Sequence, residues 1–528
     1  DVLLGNFQNY TESGADADYW GRFNQVDAYF QDNWKVSRRL TVEMGLRYNY
    51  IPPFYNQLGN TSTFIPALFD PKKAPQISLA DGSITPATGD PYNGLALFGS
   101  GFPDKAKGRI PAASDPSLQR LFVGLSRGAY DANHGDISPR FGFAYDPFGR
   151  GHTSVRGGFG IFYDRTPTNV LINPSGNPPF NVTASIFDGN IDNPTGGTER
   201  NFPSNLTMLP RSLKTPSVIS YNFGVQQQLP ASVILDVGYV GNLGRHIART
   251  ININQLPVGT RLNPPASTIN QNALRPYLGY GSINMRDHGD NSNYNSMQIT
   301  VSRRVASGLS ITGNYTWSRT LDTSSGSPQN SYNARVDYGL SSVHRAHLLN
   351  VNYIYELPFL RKNHHAVVRN VFGGWEFAGV TTYQSGAPSS ISVTSDVARI
   401  GASSSRATLV ANPNLSTGDR TLTRWFNTEA ALPPERMIQG IFGNGGRNVL
   451  IGPGFNQWDL STIKNFDLHE RARLQFRAES FNLVNHPSFT GIDTTARFDA
   501  AGKPTGTYGA VTGAGPARVL EFGLKLIY

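Results

Sequence analysis

The sequence predicts an all-β protein made of long antiparallel strands, and three observations support this. Apolar and polar residues alternate strictly over many segments, as they do in a strand whose successive side chains point to opposite faces. Many of these segments run for about 10 to 15 residues, whereas strands of globular proteins centre on about 5–6. Short and long connections also alternate along the chain. Together they predict a stack of antiparallel strands with short turns at one end and long loops at the other.

The composition agrees with a fold rich in strands and turns. The 528 residues include 55 Gly and 35 Pro, and 30 Phe and 23 Tyr stand against 5 Met, which favours strands and turns over helices. No stretch of about 18 apolar residues occurs, so a transmembrane helix is not expected. The absence of cysteine excludes disulfide bonds, thiolate metal sites and a cysteine nucleophile from these residues.

The charge balance gives no reason to expect nucleic acid as a partner. Lys and Arg number 46 against 37 Asp and Glu, for a formal net charge of +9. The basic residues are scattered along the chain, whereas a nucleic-acid-binding chain carries a basic patch or a recognition motif. We therefore expect no nucleic-acid partner, and no pattern in the sequence calls for a cofactor.

Two segments show the alternation most clearly, "RRLTVEMGLRYNY" (38–50) and "ERARLQFRAES" (470–480). In both, apolar side chains occupy every second position, and ionisable side chains occur at the positions between them. We expect the ionisable set to face the lumen of the fold: Glu43, Arg47, Arg471, Arg473, Arg477 and Glu479. Such charges would steer a ligand or dock another domain through ion pairs. They would equally serve only to keep the interior hydrated, and the pattern does not separate these roles.

The connections predict the overall layout. Short links such as "KVSRR", "DPFGRGH", "LPAS", "VASG" and "DLHER" join successive strands. Long segments rich in Pro, Gly and Asn separate the resulting hairpins, at residues 51–137, 165–216, 243–291, 322–344, 386–455 and 486–515. The link at 358–370 is intermediate. With about 14 to 16 strands recognisable, this is the layout of a transmembrane antiparallel β-barrel with short periplasmic turns and long extracellular loops.

The apolar face of the strands is expected to contact lipid. A soluble β-sandwich would turn the same face inward, and alternation alone does not distinguish the two. Aromatic residues cluster at strand ends, as Tyr48, Tyr50 and Trp317 do, where a membrane interface would lie. Closure into a barrel would also remove the exposed edges that long apolar strands otherwise present. A secreted β-sandwich enzyme therefore ranks behind a membrane barrel.

The chain ends on another alternating segment, "RVLEFGLKLIY" (518–528). Phe522 and Tyr528 belong to the alternating apolar positions, and Glu521 and Lys525 belong to the positions between them. Chain ends usually fray unless something holds them. A terminal strand with an aromatic last residue therefore requires an explanation.

Candidate metal sites have weak support in the sequence. The pairs His344/His347 and His364/His365 lack the further ligands that a metal centre needs, so they are interpreted as solvated loop and turn histidines. The oxygen-rich segments "RDHGDNSN" (286–293) and "ADADYW" (15–20) do not fit the twelve-residue calcium loop. We expect no metal site.

No catalytic constellation stands out either. The segment "RGGFG" (156–160) resembles a phosphate loop, but it lies within a strand and no helix follows it, so the helix N-terminus that would bind phosphate is missing. Neither an ordered Ser, His and Asp set nor a pair of carboxylates in a plausible pocket is apparent. The sequence does not predict an enzyme.

Four further segments are distinctive: "YNSMQITVSRRVASGLSITGNYTWSRTLD" (294–322), "HRAHLLNVNYIYELPF" (344–359), "GGWEFAGVTTYQSGAP" (373–388) and "RLQFRAESFNLVNHPSF" (473–489). They resemble the barrel of TonB-dependent receptors of the Oar-like kind, which are found in Acidobacteria. In addition, "VDAYFQDNWKVSRRLTVEMGLRY" (26–48) is similar to a strand pair that recurs across TonB-dependent barrels.

The resemblance implies a barrel of about 22 strands, plugged by an N-terminal domain and often preceded by a regulatory-like sandwich domain. Neither the plug nor a TonB box is recognisable here, so residues 1–528 are expected to form only the barrel domain. The resemblance also implies that Phe522 and Tyr528 match the terminal signal read by the barrel assembly machinery.

The expected function is that of an outer-membrane receptor or transporter in a Gram-negative bacterium. Its long loops would bind a large or scarce solute, and the TonB complex would act through the plug. The nature of the solute does not follow from the sequence. A structural or adhesive surface protein and a passive porin without energy coupling remain as alternatives.

Overall fold

The structure is a computed structural model. It describes residues 4–13, 19–128, 130–167, 173–181, 183–306, 308–326, 328–360, 364–469 and 472–528. Arg471 and the first four residues of "ADADYW" lie outside these ranges.

One antiparallel sheet dominates the described residues. It has 15 strands, of which thirteen follow one another in chain order and two short ones pair off this path. The thirteen are β1 (Val26–Lys35), β2 (Leu40–Tyr50), β3 (Ile137–Tyr145), β4 (Thr153–Tyr163), β5 (Ser217–Leu229), β6 (Val233–Asn252), β7 (Tyr280–Ala306), β8 (Leu309–Asp322), β9 (His347–Glu356), β10 (Trp375–Gln384), β11 (Phe455–His469), β12 (Ala472–Phe481) and β13 (Val519–Ile527). The expectation of an all-β fold with long antiparallel strands is confirmed.

Short and long connections alternate as the sequence predicts. Residues 36–39, 146–152 and 230–232 join consecutive strands at one edge of the sheet. The intermediate link, residues 357–374, contains a short helix, α1 (Ala366–Phe372). Among the described residues, no helix has the length and apolar character that crossing a lipid bilayer would require.

Two strands extend far beyond their predicted ends. The sequence suggests strands at 233–242 and 293–304, yet β6 and β7 continue to Asn252 and back to Tyr280. They stay paired from Val233↔Arg303 to Asn252↔Asn284, with register shifts around Ile247. The extension is rich in polar residues, so alternation does not reveal it. Backbone hydrogen bonds between the two strands maintain it, and at its far end Tyr280 and Ile283 pack into the buried cluster around Phe64.

The sheet is open, which differs from the expected closed barrel. Within the described residues, β1 pairs only with β2 and β13 pairs only with β12. Both edge strands are largely exposed on both faces. Because a meander of thirteen strands places its first and last strands in the same direction, direct pairing of β1 with β13 would be parallel rather than antiparallel.

The apolar face of the sheet carries no second layer in the described structure. Leu46, Phe223 and Leu524 are 53%, 53% and 72% exposed. Most of the fully buried apolar side chains lie instead in the long loops, in clusters such as those around Phe64 and Phe426. A β-sandwich would bury the apolar face of its sheets, so the observed burial contradicts that architecture.

The long loops and the segment before β1 are themselves folded. Their short strands are Asn6–Ser13, Gly21–Arg22, Tyr55–Asn56, Ser62–Phe64, Leu95–Phe98, Phe122–Leu125, Thr183–Asn190, Thr198–Glu199, Ser204–Met208, Gly339–Leu340, Pro388–Ser389, Ser392–Val393, Ser405–Arg406, Leu450–Ile451, Phe489–Ile492, Thr495–Ala496 and Val511–Ala514. Their 3₁₀ turns are Pro66–Leu68, Pro71–Lys73, Asp104–Ala106, Pro111–Ser114, Pro116–Leu121, Asn173–Gly176, Pro194–Gly196, Gln271–Ala273, Ala334–Asp337, Thr417–Asp419, Thr428–Ala430 and Pro434–Arg436.

Candidate functional site

The strand register places the predicted ionisable residues on one face of the sheet. Glu43 is opposite Gly142 on β3, which is opposite Gly158 on β4. Directly opposed residues lie on the same face, and following the register across the sheet brings this face to Glu479 on β12. We refer to it as the polar face. Glu43, Arg47, Arg473, Arg477 and Glu479 all belong to it, and Arg471 lies outside the described residues.

The two members on β2 have different surroundings. Arg47 forms an ion pair with Asp27 of β1, with 3.1 Å between Nη2 and Oδ2. Glu43 lines a cleft of about 510 Å³ together with Arg140 and Arg156. Because Gly142 and Gly158 have no side chains, the polar face beside Glu43 is left open.

The three members on β12 contact neighbours along their own end of the sheet. Arg473 donates from Nε to Asp467 Oδ1 at 2.9 Å, and Arg477 donates to Gln475 Oε1 at 2.7 Å. Glu479 accepts a hydrogen bond from Ser461. These groups lie ten strands away from Glu43 and Arg47. The predicted residues therefore share one face of the sheet but do not form one cluster.

Phe522, one of the two C-terminal aromatic residues, lies on the opposite, apolar face. Phe522 is opposite Ala478 in β12, and its ring stacks beside that of Phe476 at 6.5 Å between centroids. Tyr528 follows the last residue of β13 and is 98% exposed. Their role as an assembly signal stays a prediction.

The loop end of the sheet contains an ion network that the sequence does not reveal. Asp337 is completely buried, and its carboxylate contacts the guanidinium groups of Arg406 and Arg447. The Nη2 of Arg447 lies 3.5 Å from Asp337 Oδ1. The side chains of Arg406 and Arg447 are 13% and 5% exposed. A buried carboxylate with two arginines joins the loop before β9 to the loop before β11.

A second pairing connects this network to β6 and β7. Arg249 donates to Asp287 from Nε at 2.6 Å and from Nη2 at 2.8 Å, and its Nη1 lies 3.8 Å from Asp290. The hydroxyl of Thr323 donates to Asp290, and Arg447 donates to the carbonyl oxygen of Thr323. The two groups of charges thus share Thr323 and Arg447 as a bridge. We call these residues together the loop ion network.

The same contacts decide the role of the oxygen-rich segment at 286–293. Its carboxylates are engaged by Arg249 and Thr323. In the described part of the chain, there is no group of three or more His, Cys, Asp or Glu residues positioned to hold a metal ion. The segment "RGGFG" lies inside β4, as predicted.

The interpretation of His344 and His347 as solvated loop and turn histidines is wrong. His344, predicted to be a solvated loop residue, is 6% exposed, and its Nδ1 accepts a hydrogen bond from the backbone N–H of Thr320. His347 lies in β9, and its Nδ1 is 2.8 Å from the hydroxyl of Tyr315. The backbone of the loop before β9 folds over His344 because Ser341 accepts from its N–H. His364 and His365 are exposed, as expected.

The comparison with protein families decides the class. Residues 1–521 match the family described as Outer membrane beta barrel domain. The chain belongs to this outer-membrane β-barrel family. The barrel is therefore a protein of the outer membrane of a Gram-negative bacterium, and the expected location and fold class are confirmed.

Several solved structures are similar to the barrel. They include the ferripyoverdine receptor of the outer membrane of Pseudomonas aeruginosa (10% identity, TM-score 0.40, 95% of this chain and 38% of that one). The outer membrane transporter YddB from Escherichia coli (11%, 0.41, 95% and 54%) and the siderophore receptor PiuA from Acinetobacter baumannii (9%, 0.39, 95% and 43%) are also similar. The barrel thus spans about half or less of these chains. No curated protein matches it.

The loop ion network lies beyond the part of β6 and β7 that crosses the membrane. A tilted strand needs about 9–11 residues to cross the membrane. Counted from the turn at 230–232, the crossing part of β6 and β7 ends before the strands reach Arg249 and its partner Asp287. In this region burial raises the pKa of the Asp290 carboxyl, although the hydrogen bond from Thr323 and the charge of Arg249 oppose the shift. Burial therefore disfavours the charged form of the Asp290 carboxyl, and holding that form in the folded protein lowers the free energy of unfolding.

Proposed function

We propose that the barrel is the membrane-spanning part of an outer-membrane receptor and transporter, with its polar face lining the passage and its folded loops binding the solute. The observation that carries this proposal is the single polar face, with charged residues from β2 to β12. A hydrated passage stabilises such charges. Its chemistry would be recognition and conduction, with no catalytic step.

The proposal extends to energy coupling through TonB. On this view, a plug domain and a TonB box outside these 528 residues complete the protein, and the polar face contacts the plug. The odd number of consecutive strands in the sheet supports the presence of further strands. Because β1 and β13 run in the same direction, an antiparallel barrel requires an odd number of additional strands between them. The Oar-like resemblance makes the N-terminal side of β1 the expected place for them.

The intact mass of the native polypeptide, extracted with detergent from outer membranes, tests this completion. A mass well above that of the 528 residues is expected, because the additional strands and plug belong to the same chain. A mass equal to that of the 528 residues would contradict both the completed barrel and coupling through a plug.

Uptake measurements test the transport role. Cells with and without the protein would be supplied with a panel of ferric siderophores, oligosaccharides and peptides, and uptake followed by mass spectrometry. We expect at least one solute to be taken up only when both this protein and TonB are present. Uptake that needs the protein but not TonB would indicate a passive porin. Normal uptake of every solute with loss of cell adhesion would indicate the adhesive alternative.

We also propose that Phe522 and Tyr528 contribute to recognition by the barrel assembly machinery. Phe522 is on the exposed apolar face of the final strand, and Tyr528, which follows that strand, is almost fully exposed. Deleting Tyr528 is expected to reduce the folded, heat-modifiable fraction in outer membranes, while leaving refolding of purified protein in detergent unchanged. A parallel loss in both assays would indicate a purely structural role.

A further inference from the structure

The link between β9 and β10 is unlike the other short connections. It occupies residues 357–374 and contains α1, whereas the turn between β5 and β6 has only residues 230–232. The link is closed by a hydrogen bond from Leu357 N–H to the carbonyl oxygen of Trp375. It therefore adds a small folded unit at the short-turn edge, which is the periplasmic edge of an outer-membrane barrel.

α1 is amphipathic. At about 100° per residue, Val367, Val371 and Phe372 fall on one arc, and Arg369 and Asn370 fall on the other. The three apolar side chains are 73%, 46% and 61% exposed. Nothing in the described structure covers this apolar arc.

The polar arc of α1 points to the rim of the barrel. Arg369 and Asn370 line a cavity of about 400 Å³ together with Glu376, Asp467 and Arg473. Asp467 and Arg473 belong to the polar face. The apolar arc, on the opposite side of the helix, is consequently directed away from the polar passage.

Two contacts attach the end of α1 to the apolar face of the sheet. Trp375 donates from Nε1 to the carbonyl oxygen of Val371 at 3.0 Å. Lys464, opposite Trp375 in the register, is 3% exposed, and its ammonium group donates to the carbonyl oxygen of Gly373. The Lys464 ammonium is also 5.4 Å from the ring of Phe466. The Lys464 side chain thus extends along the apolar surface, and its ammonium group reaches a carbonyl oxygen at the edge of that surface.

The apolar arc is continuous with the lipid-contacting surface of the barrel. The rings of Trp375 and Phe476 are 6.4 Å apart, and Phe476 stacks beside Phe522. This aromatic row lies on the apolar face at the same edge as α1, where tryptophan side chains favour the membrane interface.

We propose that α1 is an interfacial membrane anchor, whose apolar arc lies in the phospholipid leaflet on the periplasmic side of the outer membrane. The helix lies along the interface and does not span it. Lys464 and Trp375 hold it at the rim, so that it fixes the depth of β9 and β10 in the bilayer. This inference depends on the membership of the outer-membrane barrel family and not on the proposed transport activity.

Site-directed spin labelling tests this anchor. Because these 528 residues contain no cysteine, Val367→Cys and Val371→Cys introduce labelling sites without background from this chain. The full-length protein would be reconstituted in vesicles of phosphatidylethanolamine and phosphatidylglycerol. Accessibility of the label to oxygen, which dissolves in lipid, would be compared with that to a water-soluble nickel chelate. We expect both sites to favour oxygen several-fold.

The controls come from the same chain. Asn370→Cys lies on the polar arc, next to Val371 in the chain, and its label is expected to be more accessible to the nickel chelate than to oxygen. Leu524→Cys on the apolar face gives the value for lipid, and Val343→Cys in a long loop gives the value for water; both positions are more than 70% exposed. Nickel accessibility at Val367→Cys equal to that at Val343→Cys would overturn the proposal. Val367 is the more exposed site, so its variant remains informative if Val371→Cys fails to fold.

Discussion

Arg249 and Asp287 form a two-fold hydrogen-bonded ion pair across β6 and β7, with Nε–Oδ1 and Nη2–Oδ2 distances of 2.6 and 2.8 Å. The pair stands where the two strands continue past the membrane, and both side chains are about one-fifth exposed. It is the point at which the extended hairpin connects to the folded loops.

Arg249→Ala is expected to destabilise the loop ion network. The substitution leaves Asp287 and Asp290 without their shared cation, at a cost of about 1–3 kcal/mol for a charged hydrogen-bonding group. Hydrogen exchange of the segment around Thr323 would measure the local free energy of opening. As a control, Arg211→Ala breaks the exposed pair with Asp131 and should cost about 0–1 kcal/mol. Equal effects of the two changes would argue against the network.

Asp337→Asn is expected to loosen two loops at once. The change leaves Arg406 and Arg447 as buried charges without a counter-ion, and breaking such a pair costs about 3–5 kcal/mol. Limited proteolysis should then cut within both 322–344 and 386–455. Asp104→Asn, which breaks an exposed pair with Lys107, should leave the digestion pattern unchanged. Cleavage confined to one loop would contradict a shared network.

Asp290→Asn is expected to stabilise the protein at neutral pH. Burial raises the pKa of the native Asp290 carboxyl above its unfolded value. Between these two values the native state binds more protons, so the free energy of unfolding falls as the pH rises through this window. The neutral Asn removes that cost. Its thermal unfolding temperature should exceed that of the wild type near pH 7, and the difference should shrink as the pH falls below the unfolded value.

Asp131→Asn serves as the comparison for this pH effect. Asp131 is half exposed in its pair with Arg211, so its neutralisation should not raise the unfolding temperature near pH 7. A stabilisation by Asp290→Asn that persists unchanged at low pH would show that its origin is not the buried charge.

Opposite faces of β12 should respond differently to a new charge. Phe476→Arg places a cation on the apolar face and should destabilise the protein, because a lipid-facing Arg costs about 2–4 kcal/mol at the bilayer midplane and about 0–1 kcal/mol near the interface. Gln475→Arg, the adjacent residue on the polar face, should be tolerated. Chemical unfolding of the reconstituted protein would measure both, and similar losses would contradict the assignment of the two faces.

The sequence predicts those parts of the fold that local alternation encodes. In β12 the alternation extends from Ala472 to Glu479, and the strand and its two faces follow from it. The extensions of β6 and β7 do not follow, because they are mostly polar and the apolar residues at their far end, such as Ile283, pack against Phe64, which is distant in the chain. Asp337 and Arg406 are 69 residues apart in the chain, and an ion pair between two loops leaves no local signal. Sequence reasoning therefore finds the polar face and misses the loop ion network.

Chemical accessibility of the two faces in native outer membranes tests the central claim most directly. Single-cysteine variants Glu43→Cys and Arg477→Cys on the polar face would be compared with Leu46→Cys and Phe476→Cys on the apolar face, using a charged, water-soluble thiol reagent. We predict rapid modification of the polar-face pair and protection of the apolar-face pair until detergent is added. Protection of Glu43→Cys and Arg477→Cys together with rapid modification of Leu46→Cys and Phe476→Cys would contradict a barrel with a hydrated polar passage.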